Sequence, residues 1–286
     1  MAVSLTNNRD SLRAQTNLAR TSANLSKTFE RLSSGLRINS AADDSAGLAV
    51  ADNLRADAKV AAVAIRNTND GISLAAMADA GLSEINDILT RMYELANQSA
   101  NGVYTNSQRS ALSSEFLALG SEIDRIAKTT TFNDISLLSN SSNITLQVGL
   151  TNSSNSQITL SGVSGTLGAL GIGSNGSAQL SYSILAGTST LSQSAALNAL
   201  SAIDTAISTV GAIRGTVGAA QSRLSSAVNY LQVVRENYVA AEGQIRDADI
   251  AQEVAEMVRL QVLQQSATAI LAQANQQPKL VLELLK

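Results

Sequence analysis

Residues 135–203 contain no Asp, Glu, Lys or Arg, while the sequence on both sides is charged and repeats its apolar residues every three or four positions. Each helical flank carries an apolar stripe that it cannot bury alone, so the flanks must pack on each other or on other chains. Assembly is therefore a stronger expectation than chemistry. Aromatic residues make up only 3% of the chain against 44% hydrophobic residues, so Ala, Leu, Ile and Val must do most of the packing. Such side chains suit narrow helix–helix seams better than a broad interior.

Leu25, Phe29, Leu32 and Leu36 are spaced four, three and four, after Leu5, Leu12 and Leu18, which predicts a helix over about residues 4–34. Asp43 or Asp44 is suited to cap a second helix, from near Ser45 to about residue 99, with Ile72, Leu82, Ile85, Leu89 and Met92 in its pattern. Asn69-Asp70-Gly71 is turn-like, yet apolar spacing resumes on both sides, so the helix reads as continuous. A third helix carries Leu112, Phe116, Leu119, Ile123 and Ile126, and the short turn before it predicts antiparallel packing on the second.

From Phe132 to about Thr190 the period changes to two, at 144–148 and 157–160, which predicts short hairpin strands. Helical spacing returns after Leu191. A last helix over about 246–284 is apolar on more than one face, with Val254, Val258 and Val262 on one row and Met257, Leu260 and Leu263 on another. A helix apolar over so wide an arc is surrounded by protein. The fold class expected is mainly α: a long helical-bundle or coiled-coil rod with paired terminal helices and a small antiparallel β segment.

The ends differ in charge. Residues 1–42 hold six basic and two acidic groups, and residues 242–286 hold four basic and six acidic ones, which favours pairing one end with the other. The formal net charge of −3 gives no basic footprint for nucleic acid. No uninterrupted run of apolar residues is long enough to insert in a membrane. The N-terminus lacks the basic and apolar regions of a cleaved signal peptide, so the chain is expected in the cytoplasm or exported by another route.

Histidine and cysteine are both absent, removing the usual near-neutral base, the commonest metal ligands and any thiolate nucleophile. Gly171-Ile172-Gly173-Ser174-Asn175-Gly176 matches a dinucleotide fingerprint, but no acidic residue stands about twenty positions on to hold a ribose, and a Gly-rich turn is the better reading. Asp43-Asp44 and Asp247-Ala248-Asp249 read as helix starts rather than acid–base pairs. Glycosylation sequons occur at Asn140, Asn143, Asn152 and Asn175, a weak signal in such a composition. No enzyme, cofactor or metal site is expected.

The stretch Glu30-Arg31-Leu32-Ser33-Ser34-Gly35-Leu36-Arg37-Ile38-Asn39-Ser40-Ala41-Ala42-Asp43-Asp44, with AGLAVADNLR at 46–55 and RNTNDGISLA at 66–75, closely resembles bacterial flagellin. So do ELANQSANG at 94–102, EIDRIAKTTTFND at 122–134, DADIAQEVAEM at 247–257 and LQQSATAILAQANQQP at 263–278. The resemblance covers about 1–135 and 192–286 in the family's order and implies a subunit that polymerises into the flagellar filament, outside the cell. It implies an inner-core helix pair from 1–44 with 246–286, and an outer-core helical rod from 45–245 that includes the 135–190 β-hairpin segment. It also implies assembly residues on the terminal helices, namely Leu25, Phe29, Leu32, Leu36, Val254, Met257, Val258, Leu263 and Leu271.

The partners implied are many copies of the chain itself, the flagellar type III export apparatus with an export chaperone, the filament cap and junction proteins, and the vertebrate Toll-like flagellin receptor. The receptor patch and subunit contact map onto Arg91, Leu95 and Glu115, with Thr90 where the family usually has Gln and Tyr93 where Arg is common. A filament-junction protein shares the terminal likeness but not the strong matches at 30–55 and 263–278. A secreted coiled-coil adhesin could use the β insert, but its uncharged residues offer little recognition chemistry, and a plain coiled-coil scaffold would explain the heptads but not the motifs.

Overall fold

The computed structural model describes residues 8–139, 142–161, 163–173 and 179–284. Leu5, Asn140 and the Ser174-Asn175-Gly176 half of the glycine motif lie outside the described residues. The fold is mainly α, with helices α1 (Arg9–Ser34), α2 (Ser45–Ala100), α3 (Asn106–Thr129), α4 (Ser189–Arg246) and α5 (Ile250–Leu284). Two antiparallel hairpins, β1 (Thr131–Phe132) with β2 (Ile135–Ser136) and β3 (Ile144–Gln147) with β4 (Gln157–Leu160), lie between α3 and α4.

Helix starts follow local chemistry. Asn8 accepts from the Ser11 amide at 3.0 Å, Asp44 from the Gly47 amide at 2.8 Å, and Asp249 from Ala251 and Gln252 at 2.9 and 3.2 Å. Each carboxylate or amide oxygen satisfies a donor that the first helical turn leaves open. Thr105 and Gln108 form a reciprocal capping box at the start of α3. Asp43 does something different. Its Oδ2 accepts from the amides of Ser40 and Asn39 and from the Ser40 hydroxyl, closing the turn between α1 and α2 and holding its pKa below the usual carboxylate value.

The chain forms two compact units, Met1–Ala58 with Glu236–Lys286, and Lys59–Arg235. In the first, α1 and α5 run antiparallel: the Asn8 side chain donates to Ala274 O, Ser11 meets Asn275 at 2.7 Å, Gln264 donates to Ser22 and Arg31 pairs with Glu253 at 3.3 Å. The seam buries Ala14, Leu25, Thr28, Leu260 and Ala274. A short antiparallel bridge ties its two connections together. Arg37 N donates to Arg246 O and Ala248 N to Gly35 O, while the Arg246 side chain reaches Ile38 O. Ion pairs Arg55–Glu242 at 2.7 Å and Arg246–Asp52 at 3.5 Å lie beside them.

In the second unit Leu74, Leu82, Ile85, Leu89, Met92 and Leu95 of α2 share a core with Phe116, Ile123 and Ile126 of α3 and with Ala196, Ala199, Ile203, Ala206, Val210 and Val217 of α4. By length and average hydropathy α4 is long and apolar enough to cross a bilayer, although polar residues interrupt its apolar runs. One of its faces is nevertheless part of this core. Helix α2 runs unbroken through Asn69-Asp70-Gly71, and the reason for the glycine is tertiary: a Cβ at Gly71 would stand 2.4 Å from Leu146 Cδ1 of β3. Gly120 similarly receives Leu180.

The segment from Phe132 to about Thr190 holds fewer hairpin strands than its alternation predicts. The Phe132-Asn133-Asp134-Ile135 turn, with both central residues at positive φ, makes the first hairpin, a geometry that Asn and Asp tolerate. Only 144–147 and 157–160 form the second. Beyond Leu160 the described chain is largely irregular, and its Val163, Leu167, Leu170, Ile172 and Ile184 enter the main core. Val163, Leu167 and Leu170 are spaced four and three, yet no helix forms over them, and Ile172 and Ile184 continue neither that spacing nor an alternation; contact with the main core is what they share.

Candidate assembly surfaces

The α1/α5 pair leaves apolar side chains in solvent. Val254, Val258 and Val262 follow one another along α5 at intervals of four, each step turning about 40° around the helix, and all three are exposed, as are Leu263 and Ile270 elsewhere on α5 and Phe29 and Leu12 on α1. Of the terminal residues expected to drive assembly, Leu25 is buried inside the pair, while Leu32, Leu36, Met257 and Leu271 are half-buried. Phe29, Val254, Val258 and Leu263 are the ones that face outward. Two helices have only one seam between them, so a helix apolar on several faces must leave some of them open.

On the second unit Arg91 and Glu115 meet as expected for antiparallel helices. The Arg91 Nε and Nη2 donate to Glu115 Oε1 at 3.0 and 2.8 Å, and Nη1 donates to Glu94 Oε2 at 2.9 Å. Glu115 first, then Glu94, raises the arginine pKa, and all three side chains remain solvent-exposed. Leu95 does not share that surface. It is 1% exposed, packed with Met92 and Ala96 into the core. Positions four apart differ by about 40° around a helix, enough to put Arg91 on the margin and Leu95 within the buried arc. Thr90 turns its hydroxyl back to Asn86 O at 2.9 Å, and Tyr93 is exposed.

Sequence reasoning passed over two ionic features. Arg109 is fully buried, and it donates from Nε to Tyr104 O and from Nη2 to Asn101 O, at 3.2 and 3.0 Å, pinning the turn between α2 and α3. An Arg beside a capping box reads as a surface residue, and nothing in the local pattern marks it as buried. Arg214 pairs with Asp79 at 2.8 Å between α4 and α2. Gly171, at positive φ, closes the turn in which Ile172 and Gly173 both donate to Leu167 O. Gly173 then forms an isolated bridge with Leu180, so the described half of the glycine motif is a turn that runs into a bridge.

The sequence is informative about relatives. Residues 5–143 match the bacterial flagellin N-terminal helical region, and residues 200–285 match the bacterial flagellin C-terminal helical region. A flagellin of Halalkalibacterium halodurans is 40% identical over 91% of this chain and 91% of its own. Flagellin of Bacillus subtilis is 36% identical over 91% of this chain and 92% of its own. Flagellin FlaB2 of Treponema pallidum is 34% identical over 99% of both chains. The crystal structure of Bacillus cereus flagellin covers 58% of this chain and 88% of its own at 29% identity, with a TM-score of 0.49.

Proposed function

We propose, from the premise that this chain belongs to the bacterial flagellin family, that its α1/α5 pair is the inner-core assembly element and the helices from 45 to 245 the outer core. As a flagellin the chain is a structural subunit of the flagellar filament, an extracellular polymer of many copies, and not an enzyme. The observation that carries the assignment of the ends is the exposed apolar row Val254, Val258 and Val262, with Leu263 and Ile270 also in solvent, on a helix already paired along another face. Water is a poor environment for such a row, and neighbouring copies would cover it.

Membership of the family supports the remaining partners without naming them. The subunit is handed by an export chaperone to the flagellar type III export apparatus and meets the junction proteins and the filament cap on the growing axis. The ion-paired Arg91–Glu115 surface is its subunit contact and, in free monomer, the patch offered to the vertebrate Toll-like flagellin receptor, with Leu95 supporting it from beneath. Truncation tests the assembly assignment: chains lacking 1–40 or 247–286 should remain helical and fail to form filaments under seeded conditions. Filaments of either truncated chain in electron micrographs would overturn it. For the second surface, motility and filament length are measured with Arg91→Ala and Glu115→Ala, and wild-type behaviour of both would remove the patch from the contact.

A further inference from the structure

Within the Lys59–Arg235 unit, the uncharged segment and α4 enclose an open groove of about 420 Å³. Asn198, Ser201 and Thr205 line one side, at helical intervals of three and four that put an amide and two hydroxyls on one strip of α4. Leu170 and the positive-φ Gly171 form the other side, and the Tyr182 ring, partly in solvent, completes the lining. Among the described residues no side-chain hydrogen bond engages the Tyr182 hydroxyl, the Asn198 amide or the Ser201 hydroxyl, so their hydrogen-bonding capacity is open to a ligand.

The lining defines what fits. Among the described residues no cation lines the groove to hold a phosphate or carboxylate, and no anion lines it to hold an amine. A nucleotide is disfavoured for the same reason. What remains is a neutral molecule dense in hydroxyls with one apolar face, able to lie on an aromatic ring while an amide and hydroxyls read its edge. We propose that this groove binds a neutral pyranose sugar, its C–H face on Tyr182, its hydroxyls on Asn198 and Ser201, and one of them donating to Thr205 Oγ1, whose own proton goes to Ser201 O at 3.0 Å. The volume lies in the range of small-molecule sites. A shallow site of this kind binds weakly, but repetition along a polymer multiplies weak sites into avid attachment to a glycan-bearing surface. That last step rests on the filament reading; the sugar site itself does not.

Saturation-transfer NMR on the full-length monomer tests it, with methyl β-glucopyranoside, methyl α-mannopyranoside and methyl N-acetyl-β-glucosaminide as probes and N-acetylneuraminic acid as the charged comparison. The expected result is transfer to ring protons of at least one neutral pyranoside, reduced about tenfold by Tyr182→Ala, which removes the platform, and by Ser201→Tyr, which fills the groove. Both positions are exposed, so circular dichroism should match wild type in each variant. Absence of transfer to all three neutral probes, transfer to the charged sugar alone, or transfer that survives both substitutions would overturn the proposal. Seeded polymerisation of the same samples is scored separately, so a failed sugar site is distinguishable from a failed assembly assignment.

Discussion

Trimming the exposed valine row of α5 separates assembly from folding. Val254, Val258 and Val262 are 38, 50 and 56% exposed in the monomer, together about one and a half valines of side chain still in water. Converting Val to Ala removes two carbon groups worth about 0.8 kcal/mol each when buried. Val258→Ala should therefore weaken subunit addition by about 0.8 kcal/mol, raising the critical concentration about fourfold. The triple replacement by Ala should weaken it by about 2 kcal/mol, a rise of about thirtyfold. Alanine is a stronger helix former than valine, so α5 itself should not be lost. The assay is the residual monomer after centrifugation of seeded filaments, over a range of starting concentrations, with circular dichroism of the monomer as control. A triple variant with the wild-type critical concentration would refute the claim that this row is covered in the filament.

The core of the second unit should respond in the opposite way: Phe116→Ala, at a fully buried position between helices, should destabilise the monomer by about 3–5 kcal/mol in urea unfolding. Asp43 has a folded pKa below its usual value of 3.8, so its contribution is present above that value and is lost as pH falls through the lowered pKa. The stability gap between wild type and Asp43→Asn, followed by acid titration of the monomer, should accordingly be open near neutrality and close below pH 3.8. A short peptide inserted after Asn155, in an exposed turn, should leave the melting temperature near wild type, whereas Leu167→Asp, at a fully buried position, should lower it sharply.

Much of this molecule was legible along the chain because its helices are long and their rules are local. Spacings of three and four placed α2 through the Asn69-Asp70-Gly71 break, Asp44 and Asp249 marked starts by offering an oxygen to open amides, and the 144–147 and 157–160 alternation located a hairpin. The meeting of Arg91 with Glu115 followed from a short turn and antiparallel packing. Other features depend on neighbours remote in sequence. Leu146 explains why Gly71 stands in a helix, and the carbonyls of Asn101 and Tyr104 allow Arg109 to be buried. Leu167, Leu170 and Ile184 pack into the helical core from a stretch that forms no regular helix or strand. Local pattern determined the helices and the family, because capping and periodicity act within a few residues. Only the tertiary structure decided that Leu95 packs inward, that Val254, Val258 and Val262 face water, and that Tyr182 and Asn198 line one groove, because burial depends on what the rest of the chain brings to each face.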